Sequence, residues 1–375
     1  MVNCNKKNIL VVGAGFAGAT IARKLAENDI NVLVIDKRDH LAGNAFDYIN
    51  NKGERIHKYG PHLLHGNNKS IALKFLNNFT EWVKYEHKVK ALLKNGKSTV
   101  LPVNRKTIED IYQRKFSSED EVRIFLDSLR SNKINPTNSD EFFESQVGNK
   151  IADIFFRPYT RKMWGMDPKY LTVGVGSRLP VRTNYDDRYF SDSFQALPKK
   201  GYKFLIENML DHKKIEVKLN CEFNKDMESY YDHSFLCIPI DSYFSYVYGK
   251  LPYRSIKFEN KISYENDLPA SVVNFTDESK YTRMTQWNLL PNSGVSNDGS
   301  KTITYEIPCS MEENPKEFYY PVHTKESLKK YKKYCLLSKK IKHITFCGRA
   351  GLFKYIDMLP CVLIHISMIK KFLNN

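Results

Sequence analysis

The chain has 375 residues, 42% of them hydrophobic, with 23 Tyr and 22 Phe; that length supports a large core in two or three domains, and the aromatic content excludes a disordered chain. No run of 18 apolar residues occurs, which excludes a membrane span, and the first apolar run breaks at once into a glycine turn, unlike a signal peptide. The net charge of +16 comes from lysines spread along the sequence among acids and Asn, so it reads as a solvated surface with room for a local diphosphate site, not as a nucleic-acid stripe.

Residues 9–12 form a short apolar run, as a buried parallel strand should. Gly13, Gly15 and Gly18 follow at G-x-G-x-x-G spacing, with Phe16 between the second and third. The first glycine permits a tight turn, the second a close approach of backbone to a pyrophosphate, and the third close packing of helix on strand. Residues 17–27 then read as a helix whose N-terminal amides point at the phosphates. Residues 32–35 read as the next strand, ending in Asp36, whose carboxylate can accept ribose hydroxyls. Strand, glycines, helix, strand and acid in this order predict a dinucleotide site.

Residues 67–165 change character and read as helical. Ile71, Phe75, Phe79 and Trp82 recur near helical spacing, as do Val122, Phe125, Leu126 and Leu129, and then Phe143, Val147, Ile151 and Phe155. An inserted helical domain is the economical reading; helices packed directly on the nucleotide sheet are the alternative. Residues 165–183 carry three glycines and two prolines, which suits a lid or a plain linker. Alternation at Ile215, Val217 and Leu219, at residues 271–276 and at Ile303, Tyr305 and Ile307 predicts strands, with an antiparallel sheet over 240–310. Residues 292–300 read as a polar turn. Residues 343–347 read as a late strand, followed by Gly348-Arg349 and by a helix after Asp357-Met358, with Pro360 in its first turn.

A late strand, a Gly-Arg turn and a C-terminal helix suit closure of an FAD site, since the helix N-terminus stabilises negative charge on the flavin pyrimidine ring. Lys37-Arg38 after Asp36 and the small-residue turn 37–44, ending at Asn44, favour FAD over NAD. Gly174-Val-Gly176 lacks a third glycine and makes a poor second fingerprint. The predicted fold class is α/β, with a discontinuous Rossmann-like FAD-binding domain, an inserted helical domain and an antiparallel β-sheet domain. The expected division is 1–70 and 319–375 for the FAD domain, 71–165 helical and 166–183 a mobile substrate loop. Residues 184–235 would be mixed and return to the FAD domain, and 236–318 would form the sheet. Seven cysteines without a Cys-x-x-Cys pair suggest free thiols in a reducing cytoplasm, and no metal site is expected.

With these pieces placed, the chain resembles the UDP-galactopyranose mutase family along nearly all its length. The fingerprint leads into Asp36-Lys37-Arg38. Then come the block Ile56-His57-Lys58-Tyr59-Gly60-Pro61-His62-Leu63-Leu64-His65 and the segment Pro158-Tyr159-Thr160-Arg161-Lys162-Met163-Trp164-Gly165. Ser177-Arg178-Leu179-Pro180-Val181-Arg182 follows, with Tyr189-Phe190-Ser191-Asp192 after it. Asn274-Phe275-Thr276-Asp277, Tyr281-Thr282-Arg283, Tyr319-Tyr320-Pro321-Val322, and Gly348-Arg349 through Tyr355-Ile356-Asp357-Met358 complete the set.

The resemblance implies an isomerase that interconverts pyranose and furanose forms of a nucleotide sugar. In that family N5 of reduced FAD attacks the anomeric carbon and displaces the nucleoside diphosphate, so the nucleophile is on the cofactor. Arg178 and Arg283 are similar to the family's two diphosphate arginines, whose guanidinium forks suit phosphate oxygens. Phe155, Tyr159 and Trp164 would bracket the nucleobase, a stacking contact worth about 1–3 kcal/mol per base; for Phe155 and Trp164 a place in the helical core is the alternative. Asn274 would bond the base or ribose, and Tyr189, Tyr320 and Tyr355 would surround the diphosphate and flavin. Gly60 and His62 would approach the flavin; a satisfied core histidine is the other reading of His62. Arg349, Asp357 and Met358 would hold the flavin.

Family members often carry Gly at positions 42 and 347 and Ala at 61, where this chain has Ala42, Cys347 and Pro61. The compatible substrates are UDP-galactose, UDP-N-acetylgalactosamine, dTDP-fucose and a pentose analogue. A cytoplasmic homodimer acting in polysaccharide biosynthesis is expected by analogy. Three other readings remain: a flavin oxidoreductase of the amine-oxidase type, a flavin-scaffold binding protein without turnover, and a nucleic-acid binder.

Overall fold

The computed structural model describes residues 8–131, 135–176 and 180–374. A five-stranded parallel sheet runs Ile215–Lys218, Asn31–Ile35, Asn8–Val12, His233–Leu236, Ile344–Phe346 in spatial order. Its central strand is buried on both faces, which is why residues 9–12 are a continuous apolar run. The helix Phe16–Ala26 packs on this sheet together with the C-terminal helix Met358–Leu373. Residues far apart in sequence therefore build one nucleotide-binding layer.

Gly18 sets the closeness of that packing. A Cβ at this position would lie 1.8 Å from the Gly13 carbonyl oxygen, so no larger residue fits without separating the helix from the turn.

A seven-stranded sheet forms the second layer, in the order Tyr320–Pro321, Tyr253–Ser263, Lys301–Ser310, Arg283–Gln286, Val272–Phe275, Val89–Leu92, Ser98–Leu101. Its pairs are antiparallel except Val272–Phe275 with Val89–Leu92, which is parallel. A three-stranded sheet of Leu64–Gly66, Phe194–Pro198 and Trp82–Lys84 lies beside the nucleotide layer.

The helical reading of 67–165 needs correction in its first third. The helix Ile71–Leu76 stops after six residues, Trp82 lies in a strand, and Val89–Leu92 and Ser98–Leu101 belong to the large sheet. Pairing with residues almost two hundred positions downstream overrides the local pattern there. Helices dominate only from Arg105–Tyr112 onward, through Glu119–Leu129 and Ser139–Ile151 to Arg157–Trp164, around a core that includes Val122, Leu126, Phe143, Val147 and Ile151. Where a long flexible connection was expected, the described part contains the short turns Pro168–Tyr170 and Val173–Gly176.

Among the described residues no helix is long and apolar enough to cross a membrane, and no cluster of His, Cys, Asp and Glu could hold a metal ion. The six described cysteines are free.

Candidate active site

A cavity of about 740 Å³ opens over the C-terminal ends of the parallel strands, where ligands of open α/β sheets bind. Gly13, Gly15, Phe16, Gly18, Asp36, Lys37, Asn44, His62, Arg349 and Met358 all line it. The sequence fingerprint and the C-terminal segment thus face one space. No side chain caps the N-terminus of Phe16–Ala26, and its first turn has no acid. Met358–Leu373 also lacks an acid in its first turn. The N-terminus of Phe16–Ala26, capped by Gly15 and aimed at this cavity, favours an anionic ligand, whereas the second helix has the acid Asp357 at its N-cap. The volume, the glycine cradle and these amides fit a dinucleotide such as FAD.

Asp36 does more than wait for a ribose. One carboxylate oxygen accepts the Ala14 amide at 2.8 Å and the other the Arg38 amide at 2.9 Å, so it braces the glycine turn. Arg38 donates to the Asn44 side-chain oxygen at 2.9 Å and pairs with Glu317. Lys37 donates to the Lys316 carbonyl at 3.3 Å. Ala42 occupies the left-handed region at φ 68°, where a glycine would rest more easily.

A second constellation adjoins this cavity on the large sheet. Arg283 stands directly opposite Asn274 on one neighbouring strand and opposite Glu306 on the other. Opposed residues share a face, so Glu306, Arg283 and Asn274 form one polar row. Arg283 Nε lies 2.7 Å from Glu306 Oε2. Burial pulls the guanidinium's pKa down, but Glu306 together with the Tyr159 and Tyr320 hydroxyls outweighs burial and holds it well above its ordinary value. Burial pushes the Glu306 carboxyl up against the pull of Arg283. The Asn274 side-chain oxygen is buried and has no partner among the described residues, as a group awaiting a ligand would be.

Aromatic hydroxyls face this row. Tyr159 is held well above its ordinary pKa by burial, and it lies within electrostatic reach of Arg283, Tyr189, Glu306 and Tyr320. Tyr320 is likewise raised by burial, with Arg283, Tyr355, Glu306 and Arg349 around it. The Tyr320 and Tyr355 rings stack at 5.7 Å, with the Arg349 guanidinium 4.4 Å from the Tyr355 centroid. Trp164 meets Tyr320 edge to face at 6.2 Å.

His62 and Gly60 join the two spaces. The His62 ring nitrogen Nδ1 lies 2.8 Å from the Gly60 carbonyl, and the His62 amide donates to His57 Nδ1 at 3.0 Å. Burial, reinforced by His57, lowers the His62 pKa to about 3, so the imidazole is neutral. Gly60 has φ 81°, and a Cβ there would lie 2.7 Å from Glu306 Oε1. The absent side chain makes room for the carboxylate.

Two predicted residues stand apart. Arg178 lies outside the described residues. Phe155 is buried in the helical core among Phe143, Val147 and Ile151, where burial alone accounts for it. Tyr189 is on the site side, with its amide bonded to the His87 carbonyl at 2.6 Å.

Sequence reasoning missed Glu306 and His87. Alternation in 301–307 puts Ile303, Tyr305 and Ile307 on one face and so turns Glu306 to the other, where an acid opposite an arginine is a signal. His87 is buried, carries an Nδ1 with no partner among the described residues, and is lowered to about 3 by burial and then Arg283. No local pattern announces it, because the strands that enclose it come from distant segments.

Comparison with known proteins agrees with this geometry. Residues 154–355 match the model of the family UDP-galactopyranose mutase, and residues 11–79 match that of an NAD(P)-binding Rossmann-like domain. The chain is 35% identical over 375 residues to a probable UDP-galactopyranose mutase of Klebsiella pneumoniae, covering 99% of this chain and 96% of that one. It is 36% identical over 386 residues to a dTDP-fucopyranose mutase of Escherichia coli, covering 98% of each. With the UDP-galactopyranose mutase of Mycoplasma genitalium it shares 30% over 396 residues, covering 100% and 96%. A crystal structure of reduced UDP-galactopyranose mutase matches the fold with a TM-score of 0.76, over 98% of this chain and 94% of that one, at 18% identity. A putrescine oxidase structure shares the fold at a TM-score of 0.57 and 13% identity, over 98% and 99%.

Proposed function

Since this chain belongs to the UDP-galactopyranose mutase family, we propose that it is a flavin-dependent isomerase interconverting the pyranose and furanose forms of a nucleotide sugar, with UDP-galactose the first candidate and a dTDP-linked sugar the next. The observation that carries this reading is the polar row Glu306–Arg283–Asn274 beside a dinucleotide cavity, enclosed by Tyr159, Tyr320 and Tyr355.

FAD would be held by Gly13, Gly15, Phe16, Gly18, Asp36, Lys37 and Asn44 at one end and by Arg349, Asp357 and Met358 at the other. Bound in its reduced form, it would supply an electron-rich nitrogen able to bond the anomeric carbon. This chain's residues then do the rest. Arg283, with Arg178, holds the diphosphate and stabilises the charge that gathers on it as the anomeric C–O bond breaks. Tyr320 and Tyr355 orient phosphate oxygens through their hydroxyls. Burial raises the pKa values of Tyr159 and Tyr320, so both hydroxyls keep their protons and donate without repelling the anion. Neutral His62 and the Gly60 backbone leave space at the ring and add no competing charge. Asn274 offers its unpartnered oxygen to the base or ribose, Tyr159 and Trp164 flank the base, and Tyr189 closes the phosphate end. We further place the enzyme in the cytoplasm, as a homodimer, in the synthesis of a galactofuranose-type polysaccharide.

The test is incubation of the dithionite-reduced protein with UDP-galactopyranose, UDP-N-acetylgalactosamine and dTDP-fucopyranose, followed by chromatography. A furanose product from at least one, without net oxidation, supports the reading. Hydrogen peroxide release with an oxidised product, and no furanose, would replace it with an oxidoreductase.

A further inference from the structure

Read along the sequence, the lysines are dispersed; folded, one group of them is not. Residues 325–342 contain eight lysines and a single acid, Glu326. The helix Lys325–Ser338 covers most of this segment. It buries Ser327 and Tyr334 against the fold and rests Tyr331 and Leu337 on the core behind the parallel sheet. Its opposite face presents Lys325, Lys329, Lys332 and Lys333, continued by Lys339 and Lys340 just past its end, all exposed.

Among the described residues no ion pair reaches any of the eight lysines of 325–342, whereas several lysines elsewhere are paired, as in Lys52–Asp298, Lys199–Glu81, Lys280–Glu259 and Lys301–Asp267. Lys325 with Lys329, and Lys329 with Lys333, are like charges at i,i+4, an arrangement that costs helix stability. A face that carries this cost without counter-ions is suited to an external anion.

Exposed apolar groups share the face. Leu336 sits amid the lysines and is 63% exposed. The loop 244–250 is tied to the same helix. Tyr334 Oη accepts the Tyr248 amide at 3.0 Å and donates to the Gly249 carbonyl at 2.9 Å, and Lys330 donates to the Lys250 carbonyl at 2.8 Å. At its tip Val247 is 62% exposed and Tyr246 42%. Lys333 Nζ lies 5.5 Å from the Tyr248 ring centre.

We propose that this face, the helix Lys325–Ser338 with the loop tip 246–248, docks the protein on a bilayer surface that contains anionic lipid. The lysines meet the headgroup phosphates. Val247, Leu336 and the two tyrosine rings enter the interface, where an apolar body with a polar tip is favoured. The aliphatic groups decide between partners: Val and Leu gain nothing from a nucleic-acid backbone, but they gain from acyl chains. Tyr246 also lines the rim of the cofactor cavity, so docking sets the cavity beside the membrane.

The test is co-sedimentation of the full-length, cofactor-loaded protein with vesicles at about 0.1 M salt, where charge contacts still reach about 10 Å. Vesicles of phosphatidylcholine alone are compared with vesicles carrying roughly 30% phosphatidylglycerol. Binding to the anionic vesicles should exceed binding to neutral ones by about tenfold. The triple variant K329E/K332E/K333E should abolish it. The double variant V247S/L336S, which leaves the charge unchanged, should weaken it severalfold, and both variants should keep their cofactor absorbance and melting temperature. No preference for anionic vesicles, or equal binding by V247S/L336S, overturns the proposal. Tighter retention by heparin or single-stranded RNA than by vesicles, indifferent to V247S/L336S, would assign the face to a polyanion instead.

Discussion

Arg283 and Glu306 stand opposite one another on adjacent strands, with Nε 2.7 Å from Oε2, and the same Glu306 carboxylate fills the space that Gly60 leaves open. One buried acid therefore touches both Arg283, the arginine proposed to hold the diphosphate, and the backbone at Gly60, proposed to lie beside the flavin. Its removal leaves an uncompensated buried cation, so Glu306→Ala should destabilise the protein by about 3 kcal/mol. Glu306→Gln keeps the shape and should retain FAD while turnover falls about tenfold or more, because Arg283 is no longer neutralised or oriented. Denaturant melts and steady-state rates, compared with those of the wild type and of Arg283→Lys, separate the two effects.

Arg283→Ala should lower turnover about a hundredfold or more while the flavin spectrum is unchanged. Arg283→Lys should recover only part of it, since an ammonium cannot make the two-pronged phosphate contact. Arg178→Ala should behave like Arg283→Ala. Near-normal rates in both alanine variants would remove the diphosphate assignment.

Gly18→Ala should purify with little or no cofactor. The added methyl would meet the Gly13 carbonyl at 1.8 Å, so the first helix must move off the turn and its amides leave the phosphates. The ratio of flavin to protein absorbance reads this directly, and a normal ratio would show that the helix can yield.

The nucleotide-binding half is the most legible part of the sequence. Its strands are buried on both faces, so each is an apolar run, and its turn needs glycines at fixed spacing. The C-terminal closure by Gly348-Arg349 and Met358–Leu373 is legible for the same reason. Val89–Leu92 is not read as a strand, although it pairs locally with Ser98–Leu101; its second partner, Val272–Phe275, is distant and nothing local specifies that pairing. The aromatic residues show the same division. Tyr159 and Phe155 are four residues apart, a spacing that puts both on one face of an α-helix, yet one faces Arg283 and the other the helical core, because Phe155 lies in the π-helical turn Ala152–Phe156 that precedes Arg157–Trp164. Glu306 belongs to the candidate site through strand register, and His87 through the packing of segments distant in sequence.

Acid should destabilise this fold through its buried imidazoles. Burial lowers His57 and His87 to about 3, while the unfolded chain takes up those protons near 6.5. Between these values the unfolded state binds more protons, so stability falls as pH drops from about 6.5 toward 3. The melting temperature of the holoenzyme should decline steadily from pH 7 to pH 5. His87→Gln should show a shallower decline; an identical slope would mean that His87 is protonated in the fold.

The most direct measurement compares the two oxidation states of one preparation acting on one nucleotide sugar. The dithionite-reduced enzyme should convert UDP-galactopyranose, or its preferred analogue, to the furanose form over many turnovers with no net change in flavin oxidation state, and the air-oxidised enzyme should be inactive. Equal rates in both states, or a purified protein without flavin absorbance, would contradict the account.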